Sequence, residues 1–122
     1  MIKTKNMLED LEYVDAIESK RQTYYIYRGK KYYLILSFSP KKKNSGNFNL
    51  VNSKLVDKVY DKFRNQKKIT SSAVFCNSKV EKQTRYIKSS LDALNILYIL
   101  SAKGFAKLDK RFTRKNLFFN IK

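Results

Sequence analysis

The chain has 122 residues and a mass of 14.4 kDa, enough for one hydrophobic core. Its 27 Lys and Arg against 10 Asp and Glu give a formal charge of +17, and a hydrophobic content of 43% excludes wholesale disorder. One cysteine and no histidine exclude an intramolecular disulfide, a thiolate–imidazole zinc site and imidazole acid–base chemistry.

Residues 1–20 hold five acids (Glu9, Asp10, Glu12, Asp15, Glu18) and three lysines, a balance of −2, which leaves +19 on residues 21–122. Met7, Leu8, Leu11, Val14 and Ile17 recur at helical spacing and predict a short amphipathic helix, with a strand over residues 11–17 as the alternative. This acidic segment could finish the core, pair with a second subunit, or hold part of the basic surface until nucleic acid displaces it. It contains no apolar run, and nowhere do about 18 uninterrupted apolar residues occur. The expectation is a soluble protein of a reducing compartment, cytoplasmic or nucleoid-associated, with no membrane partner and no cofactor.

Gln22 to Arg28 and Lys31 to Ser39 are rich in tyrosine and aliphatic residues and predict two strands, joined at Gly29-Lys30 by a two-residue turn. Pro40 ends the second run because it cannot donate to a ladder. Lys41, Lys42 and Lys43 open a basic loop, and Asn47 to Val51 reads as a third, antiparallel strand. Tyrosine is a good strand former and some of Tyr24, Tyr25, Tyr27, Tyr32 and Tyr33 belong to the core. Others, set among Arg21, Arg28, Lys30 and Lys31, could stack on unpaired bases.

Asn52 or Ser53 caps a helix running to about Arg64, with Leu55, Val56, Val59, Tyr60 and Phe63 on its buried side. Thr70 or Ser71 caps a second, short helix that turns Ala73, Val74 and Phe75 inward. After a turn at Asn77-Ser78-Lys79, a long helix is predicted from Gln83 or Thr84, with Ile87, Leu91, Leu94 and Tyr98 on one face. Its first turns carry Arg85, Lys88, Ser89 and Asp92, whereas Ile96, Ile99 and Leu100 need cover from the meander or from a second copy. Lys103-Gly104 supplies the stop. Residues 105–112 and 117–121 alternate as a hairpin with Ala106, Leu108, Leu117, Phe119 and Ile121 inward and a basic loop between.

This order of short helix, long helix, glycine stop and basic hairpin over residues 53–122 resembles a winged-helix DNA-binding domain. The resemblance rests on element order rather than on a signature motif, so it concerns fold before function. It implies an α+β winged helix of three helices plus a β-hairpin wing, with an N-terminal antiparallel β-meander over residues 1–52, together one compact unit. It further implies a recognition helix whose amino-terminal residues meet base edges in the major groove and a wing on phosphates. The candidate DNA contacts are Lys82, Gln83, Arg85, Lys88 and Ser89 on the helix. Lys107, Lys110, Arg111, Arg114 and Lys115 serve on the wing, and Lys41, Lys42 and Lys43 on the meander loop.

A charge of this size repels itself in the compact state and is relieved by a polyanion, nucleic acid ahead of an acidic membrane surface; the resemblance implies double-stranded DNA as the partner, with a homodimer as an alternative form. The expected role is transcription regulation without catalysis. A DNA-coating architectural protein and a single-stranded RNA or DNA binder using the tyrosine-rich sheet are the rivals. Asp15, Glu18 and Lys20 bear a faint likeness to nuclease carboxylate–lysine patterns, but such strings are common in lysine-rich chains, and no metal site is expected.

Overall fold

Alternation of tyrosine and aliphatic side chains builds the amino-terminal half. The computed structural model describes residues 11–18, 22–38, 46–81, 84–109 and 117–122, with the backbone alone at 79–81 and 84–85. Strands β1 (Glu12–Glu18), β2 (Thr23–Arg28), β3 (Tyr32–Phe38) and β4 (Gly46–Asn52) form an antiparallel sheet in the order β1-β2-β3-β4. The expected meander is therefore present and has gained a fourth strand, because residues 12–18 take the extended alternative and not the helix. Pairing with β2 satisfies a row of backbone groups that an isolated short helix would leave poorly supported. Glu18 lies opposite Thr23 and Ile17 opposite Tyr24, and a bulge falls between Tyr13 and Asp15. The turn between β2 and β3 sits one residue later than expected. Gly29 N donates to Tyr32 O at 2.7 Å, so Lys30 and Lys31 form the tip. Position 29 is tight: an added Cβ would lie 3.1 Å from Tyr32 O and 3.3 Å from Leu11 Cδ2.

The chain leaves the sheet directly into α1 (Ser53–Phe63), whose cap is Asn52, its side-chain oxygen accepting from Lys54 N at 2.8 Å. Ser53 ties this helix start to the β2–β3 turn, donating from both its backbone nitrogen and its hydroxyl to Lys31 O. Val56, Val59 and Phe63 are buried as the helical spacing requires. Asn65 and Lys68 take positive φ in the connection. Thr70 then caps α2 (Ser71–Cys76) through Ala73 N, and Val74 is buried. A short ribbon follows, β5 (Lys79–Glu81) against β6 (Thr84–Arg85). Next come α3 (Ser90–Ala102) and a second hairpin, β7 (Ala106–Leu108) paired with β8 (Phe119–Ile121).

Helix α3 is the centre of the molecule. It is apolar nearly all round, and Ala93 and Asn95 to Leu100 are buried. It packs against α1, α2, β7 and all four strands of the sheet. Ile96, Ile99 and Leu100 are thus buried within the chain, by a helix that packs on the sheet together with α1, α2 and β7. Each such aliphatic side chain withdrawn from water contributes about 1.5–3 kcal/mol. The Tyr98 ring stacks on Tyr24 from the sheet at 4.4 Å and meets Phe119 from the hairpin edge-on at 5.9 Å. One hydrophobic cluster runs from Ile26, Tyr33, Ile35 and Val51 through Val56 and Val74 to Phe119 and Ile121, joining residues of both expected segments.

The hairpin is fastened to the helices by Ile69, which exchanges two backbone hydrogen bonds with Phe119 at 2.9 and 2.8 Å. Ile121 N also donates to Gln66 O at 2.8 Å. The glycine stop after α3 holds: Gly104 has φ of +82° and Phe105 N donates back to Leu100 O at 2.9 Å. Nothing lies within 4 Å of where a Cβ would stand at Gly104. Gly104→Ala is accordingly expected to lower stability by about 1–2 kcal/mol through backbone strain alone, measurable as a shifted urea midpoint at constant slope.

Candidate nucleic-acid interface

The expected recognition helix is the main correction. Helix α3 begins at Ser90 and not at Gln83 or Thr84, because Ser89 is its cap: the Ser89 hydroxyl accepts from Asp92 N at 3.1 Å. Upstream, Thr84 and Arg85 pair with β5 instead, and Tyr86 N donates to Ser78 O at 3.2 Å. Arg85 therefore lies in a ribbon opposite Lys79, and Lys88 is an exposed residue ahead of the helix. Ser89 is occupied as the cap. Within Ser90–Ala102 there is no Lys or Arg, and the exposed large side chain of its first turn is Leu91. A helix without cations, packed on several sides by its own chain, has no face to lay in a groove lined by phosphates. Lys82 and Gln83 lie outside the described residues.

The hairpin is present where the wing was expected. Ala106, Phe119 and Ile121 are buried and Leu108 and Leu117 partly so, while Lys107 is exposed on β7 opposite Asn120. Asn120 also donates to Asp109 from its amide and accepts from Lys68 N, which fixes the strand that carries it. Lys110, Arg111, Arg114 and Lys115 in the hairpin loop, and Lys41, Lys42 and Lys43 in the β3–β4 loop, lie outside the described residues.

The sheet offers a different surface. Register puts Tyr24, Ile26, Tyr33, Ile35 and Val51 on the side that meets α3. By strict alternation, Tyr25, Tyr27, Leu34, Leu36, Phe38, Phe48 and Leu50 share the opposite face, where Tyr13 lies across from Tyr27. This outer face is apolar and partly open to water: Phe48 is 67% exposed, Tyr13 56%, Phe38 52% and Leu50 47%, while Tyr25, Tyr27 and Leu36 are half-buried and Leu34 is buried. Its rings are arranged in edge-on pairs, Tyr13 with Tyr27 at 5.4 Å and Tyr25 with Phe38 at 6.3 Å. Exposed Arg28, Lys30 and Lys31 stand at one end of β2 and β3. Exposed Glu12, Asp15 and Glu18 mark the β1 side. Sequence reading singled out the tyrosines but not Leu34, Leu36, Phe48 and Leu50. The available signal was the unbroken run Leu34-Ile35-Leu36, which makes both faces of β3 apolar.

Where β4 ends, a groove of about 300 Å³ opens between Leu50, Asn52 and Tyr32 on the sheet and Tyr86, Lys88 and Asp92 ahead of and within α3. Burial pushes the Tyr86 phenol above its ordinary value of 10.0, and Lys58 Nζ lies 4.3 Å from the centre of its ring. Lys88 is thereby brought close to the rim of the aromatic face, a placement its sequence position did not reveal.

The Asp15 carboxylate accepts from Ala16 N at 2.8 Å and Glu18 is exposed on the outermost strand; Lys20 lies outside the described residues. Among the described residues no three of His, Cys, Asp and Glu converge, and no helix is long and apolar enough to cross a membrane. Compared with protein-family models, with curated proteins and with solved structures, the chain shows no match, so the site's own geometry must carry the functional argument.

Proposed function

We propose that the protein binds nucleic acid, and that the outer face of the four-stranded sheet is the surface on which unpaired bases of a single strand stack. The observation that carries this reading is an uncovered aromatic face on a chain of net charge +17. Every base has a π-face, so rings such as Tyr25 and Tyr27 serve any sequence, each stacked base contributing about 1–3 kcal/mol. Lysines and arginines around the sheet neutralise phosphates, which makes affinity fall with salt, by about 0.7 in the log–log slope for each phosphate contacted on a single strand.

A second reading, duplex binding in a regulatory or DNA-coating role, draws on the hairpin. The Ile69–Phe119 bridge holds it against α1 and α2, and Lys107 together with the basic loop would lie along phosphates as a wing does. Binding of labelled single-stranded DNA, RNA and duplex over a salt series separates the two. Tyr25→Ala is expected to weaken single-strand binding by about 1–3 kcal/mol and to leave duplex binding almost unchanged, with folding checked by denaturation because Tyr25 is half-buried. Changing Arg114 and Lys115 to alanine should leave the single-strand affinity within a small factor. If the tyrosine variant binds single strands like the parent while the loop variant loses duplex, the hairpin reading replaces the sheet reading. No binding to any of the three at low salt defeats both.

A further inference from the structure

The two edges of the sheet differ in kind. An edge strand exposes unpaired N–H and C=O groups that accept any other strand unless something blunts them. On β1 the blunting is complete: three carboxylates (Glu12, Asp15, Glu18), a bulge, and the Asp15 side chain turned back onto Ala16 N. Strand β4, reading Gly-Asn-Phe-Asn-Leu-Val-Asn, carries no charge, no proline and an unbroken register with β3 from Asn52 to Gly46. Residues 46–50 are exposed on both faces, so this half of the strand stands clear of the helices that cover its carboxyl-terminal end at Val51.

We infer that the edge of β4, which no described strand pairs with, is a homodimer interface, at which a second copy of this chain adds its own β4 antiparallel about a two-fold axis through Phe48. The identity of the occupant follows from the strand itself. Asn47-Phe48-Asn49 reads the same in both directions, so a two-fold pairing sets Phe48 against its symmetry mate and Asn47 against the partner's Asn49, twice over. Aromatic pairs directly across antiparallel strands are stabilising, and asparagine amides opposite one another can donate and accept. The interface is isologous and therefore closes at two copies, without running on into a fibre. Neutrality matters as much as shape: two chains of +17 can bring backbones together only where neither presents a charge, and β4 is such a place. The result is an eight-stranded sheet whose outer aromatic faces are continuous. The inference does not depend on what those faces bind.

The test uses the full chain. Sedimentation equilibrium at high protein concentration should show a monomer–dimer equilibrium that tightens as salt screens the repulsion between copies. Asn49→Lys should weaken the dimer by about tenfold or more, since each new cation would face the partner's Asn47 with its own mate only about 7 Å away along the strand direction, whereas Glu18→Lys on the blunted edge should leave it unchanged. Because Cys76 is free and exposed, cross-linking is read in a Cys76→Ser background. There Phe48→Cys should form an intermolecular disulfide on oxidation, as directly opposed Cα atoms lie about 4.5–5.5 Å apart. Leu50→Cys should not, because its own mate lies about 14 Å along the strand direction. A monomer at all concentrations and salts overturns the inference. So does equal cross-linking at positions 48 and 50, or a dimer indifferent to Asn49→Lys.

Discussion

Ile99→Lys is expected to abolish cooperative folding at 37 °C, lowering stability by about 4 kcal/mol or more. Ile99 is fully buried on a helix packed against the sheet, α1, α2 and the hairpin, so a lysine there would have neither water nor an acidic partner. Against a total stability of about 5–15 kcal/mol for a domain of this size, such a loss is decisive. The experiment also discriminates between two arrangements of the same helix. If the helix instead turned Ile99 to solvent, a lysine there would leave folding intact. Circular dichroism and thermal unfolding of the variant, beside an Ile99→Val control expected to lose only about 0.5–1.5 kcal/mol, decide between them.

Phe119→Ala is expected to cost about 3–5 kcal/mol, the usual range for emptying a buried aromatic position that cannot collapse. Phe119 is fully buried, its ring set edge-on to Tyr98 and its backbone bonded twice to Ile69. The backbone bonds keep the strand in place after truncation and so prevent the neighbours from closing the cavity. Tyr98, which stacks on Tyr24, links this position to the sheet. A double-mutant cycle between Phe119→Ala and Tyr98→Leu should yield a coupling of about 0.5–1.5 kcal/mol for the ring pair. Urea denaturation that shows a loss under 1 kcal/mol for Phe119→Ala would mean that the hairpin is not part of the cooperative core.

The position of α3 explains why charge and fold coexist in this chain. The residues from Ser90 to Ala102 contain one carboxylate and no cation, so the core is centred on a stretch free of lysine and arginine. Cations are displaced to α1, to turns and to loops, with Lys103 still covering the rings of Tyr33 and Phe105 through its ammonium at 5.3 and 5.1 Å. Long basic side chains can cover apolar surface with their stems while their heads stay in water. That is how a basic surface can sit directly over an apolar cluster.

Features governed by neighbours in the chain were determined by the sequence itself. A cap at Asn52 or Ser53 and another at Thr70 or Ser71, the buried side of α1 with Val56, Val59 and Phe63, the burial of Val74 on α2, the three strands from Thr23 to Asn52, the glycine stop at Gly104 and the inward residues of the hairpin all follow from local hydrogen bonds and from periods of 3.6 and 2. The start of α3 did not follow from these. Thr84 and Ser89 are both competent caps, and Ser89 prevails where Thr84 and Arg85 are drawn into pairing with Lys79 and Glu81. Likewise the apolar spacing of residues 7–17 is ambiguous until β2 offers Glu12–Glu18 a partner. The tertiary structure alone decided that the long helix is enclosed, moving Arg85 and Lys88 off it, and that the sheet turns Phe38, Phe48 and Leu50 to solvent. These outcomes depend on which surfaces meet across the fold, and alternation along a strand specifies two faces without saying which one the rest of the chain will cover.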